Sequence, residues 1–219
     1  MNNVLHQARI FFWMMLNPVK LFQRINELDW YKKVLRTWVD DLAKSADAHT
    51  LEVACATGAL TEYLATGGFN ATGIDASDKM INAAKGNKAH RGSYQTADAK
   101  SLPFKDSSFD AVISASLLNI VCEPENVMKE MVRVCKPGGI VSVLVPKHGI
   151  SDTQFAALIK THCTSAFSAA VLATWHKRAP KMQPQHLMGL FNQGNLATVR
   201  TRDYLGGMVT TVSGVKQVL

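Results

Sequence analysis

The chain has 219 residues, of which 47% are hydrophobic and 19% charged, and a net charge of +7. That length holds one domain of ordinary size plus an extension, and the composition excludes a disordered or collagen-like chain. Cys55, Cys122, Cys135 and Cys163 show neither CxxC nor Cys/His finger spacing, which disfavours a structural zinc site or a disulfide framework.

Region 1–48 reads as helical. Residues 10–16 form an apolar run of seven, far short of the roughly 20 that cross a bilayer, and no small-residue cleavage site follows. A cytoplasmic protein is expected. Pro18 breaks or restarts the helix. Leu28, Tyr31, Leu35, Trp38 and Leu42 fall three and four apart, one helix face, with Asn26 or Asp29 as its cap.

Region 49–146 alternates strands and helices. Strands are predicted at 50–54, 71–74, 93–96, 109–114 and 140–145. Helices are predicted at 59–66, from a Ser77 cap through 89, and at 125–135, the last closed by Pro137-Gly138-Gly139. Such alternation implies an α/β fold with a doubly wound, mostly parallel sheet. In region 147–219 a helix is predicted over 153–175, then strands at 197–204 and 208–213 around Gly206-Gly207, an antiparallel hairpin completing the same domain. This last region carries eight basic and two acidic residues, which is either a solvated basic face or a surface for an anionic partner.

The chemistry sits at the strand ends. The first strand runs into Leu51-Glu52-Val53-Ala54-Cys55-Ala56-Thr57-Gly58. Small residues recur there as A-x-A-x-G, one residue shorter than the dinucleotide fingerprint G-x-G-x-x-G. The turn either admits a ligand to backbone N–H groups and a helix N-terminus, or serves packing alone. Asp75 ends the second strand and can take a ribose diol or complement a helix dipole. Asp98 follows the third strand and can accept from an adenine amino group or be an ordinary loop acid. Three acids at successive strand ends line the crevice where open α/β sheets bind ligands.

With these segments in order, LEVACATG, ATGIDAS, ADAKSLPFKDSSFDAVIS and EMVRVCKPGGIVSVLVP, the chain resembles a class I S-adenosylmethionine-dependent methyltransferase of the small-molecule type. The resemblance covers roughly residues 48–146. It implies a seven-stranded Rossmann-like sheet closed by an antiparallel strand, S-adenosylmethionine as cofactor and S-adenosylhomocysteine as product. Residues 1–48 would be a helical lid, 49–146 the cofactor-binding core, and 147–219 the substrate side. Glu52, Ala54, Ala56, Thr57 and Gly58 would hold the methionine end of the cofactor. Asp75 would bind the ribose, Ala76 and Met80 would flank the adenine, and Asp98 with the Ala99 N–H would meet its amino group. Ser114 and Ala115 would face the transferring methyl. The family writes glycine where Ala54 and Ala56 stand. If Ala56 needs φ > 0, it costs on the order of 1 kcal/mol.

Methyl transfer from a sulfonium needs alignment and exclusion of water, with no metal, and a base only for a protonated nucleophile. His148, just after the fifth strand, is the base candidate nearest the expected site, ahead of His176 and His186. Asn119 could bond a substrate or form a turn. The aromatic segment with Phe11, Phe12, Trp13, Met14, Met15 and Phe22 is either core packing or an apolar lid. A lid of that kind, with the basic tail, would suit a small, hydrophobic or lipid-like acceptor and peripheral contact with a membrane. The stretch from Asn119 through Gly139 also resembles phospholipid and quinone methyltransferases. Nucleic acid is disfavoured, because Ser114-Ala115-Ser116-Leu117 lacks the Asn/Asp-Pro-Pro-aromatic run of base methyltransferases. Two rival classes remain: a non-catalytic binding protein whose cofactor site is impaired by Ala54 and Ala56, and a nicotinamide oxidoreductase. The oligomeric state is not legible.

Overall fold

Runs of apolar and β-branched residues line up as parallel strands, and the helices between them cover both faces. A computed structural model describes residues 2–42, 47–87, 89 and 91–218. Residues 1 and 43–46 of the expected lid region lie outside them. Strands β1 (His49–Val53), β2 (Asn70–Asp75), β3 (Ser93–Thr96), β4 (Phe109–Ala115) and β5 (Cys135–Pro146) are parallel. β6 (Leu196–Tyr204) and β7 (Val209–Lys216) form an antiparallel hairpin, and β7 pairs antiparallel with β5. The order β3-β2-β1-β4-β5-β7-β6 makes one seven-stranded Rossmann-like sheet. The winding direction reverses between β1 and β4, so a crevice opens at their carboxyl ends.

The pleat sorts side chains to two cores. Val141, Val143 and Val145 face one way, toward Met131 of α6 (Pro124–Val134) and Leu187 and Phe191 of α9 (Pro184–Gln193). Leu144, on the alternate face, packs with Val34, Leu35 and Trp38 of α3 (Asp29–Asp40) and Leu60 of α4 (Ala59–Thr66). Trp38 is fully buried there, and its indole N–H donates to Ser142 Oγ at 2.9 Å. A third core lies off the sheet. It joins Ile10 and Trp13 of α1 (Asn2–Leu16), Leu21 of α2 (Pro18–Asn26), Leu158 of α7 (Asp152–His162) and Leu172 of α8 (Ala166–Arg178). Trp30 stacks on Trp175 with ring centroids 5.7 Å apart and donates from Nε1 to Ser168 Oγ at 3.0 Å.

Several predicted elements change. The helix expected over 153–175 is two helices, because Ser165 caps a new one by accepting from the Ser168 N–H at 3.1 Å. α9 was absent from the prediction. The helix after Ser77, α5 (Asp78–Gly86), ends three residues before Ala89. Neither Asn26 nor Asp29 caps α3: the cap position is Leu28, Asp29 lies in the first turn, and the Asn26 side chain goes elsewhere. α6 stops at Val134 because Cys135 is already extended and begins β5, which runs through Pro137-Gly138-Gly139 with Gly138 at φ 75°.

Candidate functional site

The turn after β1 is wound through left-handed backbone. Ala54 has φ 65°, Ala56 φ 48° and Gly58 φ 81°. Only glycine takes such angles without strain, so the two alanines each carry a cost of order 1 kcal/mol. Hydrogen bonds hold the turn. Cys55 N–H donates to Ile74 O at 2.8 Å and Gly58 N–H to Cys55 O at 2.9 Å. Gly58 is glycine for packing: a Cβ there would lie 2.6 Å from the Tyr94 ring, whose hydroxyl donates to Gly58 O at 3.2 Å.

Asp75 closes the turn from β2. Its Oδ2 accepts from the Ala56 N–H and its Oδ1 from the Ser77 N–H, both at 2.9 Å. Each oxygen retains a further lone pair for a ligand hydroxyl. Glu52, 5% exposed, accepts from the Thr61 hydroxyl. Burial pushes its carboxyl up to about 7, with Asp75 adding to the rise and Thr61 opposing it. No cation stands among the causes of that shift. Burial, with Glu52 and Asp75 nearby, also pushes the Cys55 thiol up, so it stays protonated and packs as a small apolar group.

These groups wall one cavity of about 180 Å³. Glu52, Ala54, Ala56, Asp75 and Ala115 line it from the sheet and the turn after β1. Phe22 of α2, Tyr31 and Leu35 of α3, and Leu117 and Ile120 past β4 complete the lining. Ser116, at φ 57°, is the third strained non-glycine residue in the same wall, with Ala54 and Ala56. Strain of this kind gathers at functional sites. Asn26, at the end of α2, also lines the cavity and donates from Nδ2 to Thr57 Oγ1 at 2.9 Å, pinning the N-terminal helices onto the turn.

The other expected residues stand as follows. Thr57 and Gly58 are buried in the turn but outside the cavity wall. Ala76 is exposed, and Met80 is buried on α5. Asp98 is exposed and accepts from the Lys100 N–H at 2.9 Å, while Ala99 is half-buried against the sheet core. Ser114 is fully buried and donates to Val53 O at 2.9 Å, which ties β4 to β1. His148 is exposed beyond β5 and is not part of the wall. His176 stacks on Phe155 at 4.2 Å, and His186 lies 3.8 Å from Glu125. Asn119 donates to Pro180 O at 3.0 Å, a contact across 61 residues that ties the segment past β4 to the approach to α9 and is not a turn.

Sequence reasoning missed Asn26, Tyr31, Leu35, Ser116 and Ile120 as wall residues. It also missed Arg133, which braces the loop after Asp98 by donating to Phe104 O at 2.8 Å and Leu102 O at 3.0 Å. Arg133 is itself held by Glu130 and Asp106, each at 2.7 Å.

Residues 51–143 match a family model described as a methyltransferase domain. The match spans 93 of the 219 residues, from β1 into β5, and makes that stretch similar to a methyltransferase domain. The chain is 29% identical over 170 residues to the ubiquinone biosynthesis O-methyltransferase of Dechloromonas aromatica, covering 70% of this chain and 72% of that one. It is 28% identical over 223 aligned positions to the demethylmenaquinone methyltransferase of Staphylococcus aureus, covering 92% and 90%. A solved SAM-dependent methyltransferase of Thermotoga maritima shares the fold with a TM-score of 0.68 at 18% identity, covering 94% of this chain and 98% of that one. Among the described residues no helix is long and apolar enough to cross a membrane.

Proposed function

We propose that this protein moves the methyl of S-adenosylmethionine to a small, lipid-like acceptor related to quinone precursors. The lining of the cavity carries this reading: carboxylates and the strained turn come from the ends of β1 and β2, and apolar side chains from the N-terminal helices and the segment past β4. A charged cofactor suits the first set and an apolar ring or chain the second. Both curated relatives cited above are named for quinones.

The residues present fit the cofactor. Glu52 is a buried carboxyl in the cavity wall without a cationic partner among the described residues, the chemistry an ammonium group would complete. Asp75 keeps acceptor capacity for a ribose diol while its other lone pairs fix the turn. The cofactor supplies a methyl already activated on sulfur. Phe22, Leu35 and Leu117 line the cavity with hydrocarbon and exclude water from it, and Asn26 holds α2 against the turn.

Calorimetric titration with S-adenosylmethionine and S-adenosylhomocysteine, with NAD as control, tests the cofactor. Micromolar binding of the first two alone is expected, and binding of neither overturns the reading in favour of a fold kept without its chemistry. Transfer of labelled methyl to a hydroxylated aromatic with a prenyl tail, against its tail-less counterpart, tests the acceptor. Preference for the tail-less compound refutes the lipid-like assignment.

A further inference from the structure

α1 buries only part of its apolar surface. Ile10 and Trp13 pack into the third core, while Leu5, Phe11, Phe12, Met14, Met15 and Leu16 are exposed, Phe11 and Met15 to 68% each. Five of them fall within residues 11–16, a ridge of large apolar side chains denser than scattered surface residues would give. The ridge is not the wall of the cavity: Phe22 lines it, whereas Phe11 and Phe12 do not.

The surroundings are cationic. No acidic residue occurs before Glu27. Three cations collect around the Trp13 and Phe167 rings. Arg9 lies 4.3 Å and Lys20 5.5 Å from the Trp13 ring centroid. Arg24 lies 5.7 Å from that of Phe167, whose ring is edge-on to Trp13 at 6.0 Å. Among the described residues, Glu27, 3.9 Å from Arg24, is the one carboxylate paired with any of them. An apolar helix face flanked by Arg and Lys is the arrangement that lies in the headgroup boundary of a bilayer. A second copy of the chain would bring like charges together at the same place.

We propose that the exposed ridge of α1, with Arg9, Lys20 and Arg24 beside it, docks the protein on an anionic lipid surface. The following helix, α2, leads from this surface to Phe22 and Asn26 in the cavity wall. The docking stands independently of which acceptor the enzyme uses.

The test is flotation of the full chain with vesicles of phosphatidylcholine alone and of phosphatidylcholine with about one third phosphatidylglycerol. The wild type is expected to float with the anionic vesicles, more tightly by about fivefold for each cation engaged than with the neutral ones. Phe11→Ser/Phe12→Ser is expected to weaken that binding about tenfold or more, with thermal unfolding and S-adenosylhomocysteine binding unchanged. Met15→Ser, equally exposed, serves if the double variant fails to fold. Arg9→Gln/Lys20→Gln is expected to erase most of the anionic preference. Wild type that does not float overturns the proposal, as do serine variants that float equally well. Concentration-dependent dimerisation without flotation also overturns it, and gives the ridge to a second copy.

Discussion

Replacing Glu52 with Gln exchanges one oxygen for a nitrogen and removes the titrating proton from the cavity wall. In the wild type, burial lifts the carboxyl from an ordinary 4.5 to about 7. Between those values the folded protein keeps a proton that the unfolded chain releases, so stability falls as pH rises. The contribution is fully present below 4.5 and lost by about 7, a total of about 3 kcal/mol as an upper bound. Glu52→Gln has no such slope, and its amide oxygen can still accept from Thr61. Urea unfolding followed by tryptophan fluorescence is therefore expected to show the variant gaining on the wild type between about pH 5 and about pH 8. Cofactor affinity moves the other way. An ammonium group needs the ionised carboxyl, so wild-type affinity should rise by up to about tenfold per pH unit below 7 and level off above it. Glu52→Gln should bind weakly and without that dependence. A stability difference between the two proteins that is flat across this range refutes the argument, because it removes the buried, unpaired carboxyl from which it starts.

Ala56→Gly relieves a left-handed alanine and should raise stability by about 0.5–1 kcal/mol while tightening S-adenosylhomocysteine binding; an unchanged or weaker dissociation constant refutes the steric part. Trp38→Phe removes the indole donor to Ser142, whose hydroxyl keeps Ser213 at 2.7 Å, and should cost about 1–2 kcal/mol by chemical denaturation. Arg133→Ala releases the carbonyls of Leu102 and Phe104 and should cost about 2 kcal/mol. It should also speed hydrogen exchange in the loop after Asp98, and protection unchanged there would argue against the brace. Asp75→Asn turns an acceptor into a donor facing the Ala56 or Ser77 N–H, and should abolish measurable cofactor binding in a calorimetric titration.

The sheet was legible because its strands obey one rule along the chain. Buried parallel strands such as the one through Val141 and Val145 are near-continuous apolar runs, and β1, β2, β4 and β5 are each followed by a helix, with serine caps at Ser77 and Ser151. α9 carried its signals too: Pro184 at its first turn, Gly194 just past its end, and Leu187, Leu190 and Phe191 at spacings of three and one on the buried side. Gly189 in its middle obscured them. The break at Ser165 was hidden because apolar density continues across it. Glu52 and Asp75 could be placed at strand ends from the sequence, but not their partners, since Ala56 and Asp75 or Asn26 and Thr57 meet only through the fold. His148 was chosen by nearness along the chain. It leaves β5 into solvent, while the cavity takes its ionisable groups from Tyr31, Glu52, Cys55 and Asp75.

The third core has a consequence for how the protein is made. Trp30 finds its hydrogen-bond partner 138 residues later, at Ser168, and Ile10, Trp13 and Leu21 share that dependence on α8. At about 5–20 residues per second, a ribosome takes on the order of ten seconds to add that stretch. For all of that interval the first helices have emerged with their inner faces uncovered, as a customer for holdase chaperones. A nascent chain stalled before α7 would carry these apolar faces with neither α7 nor α8 yet synthesised to cover them.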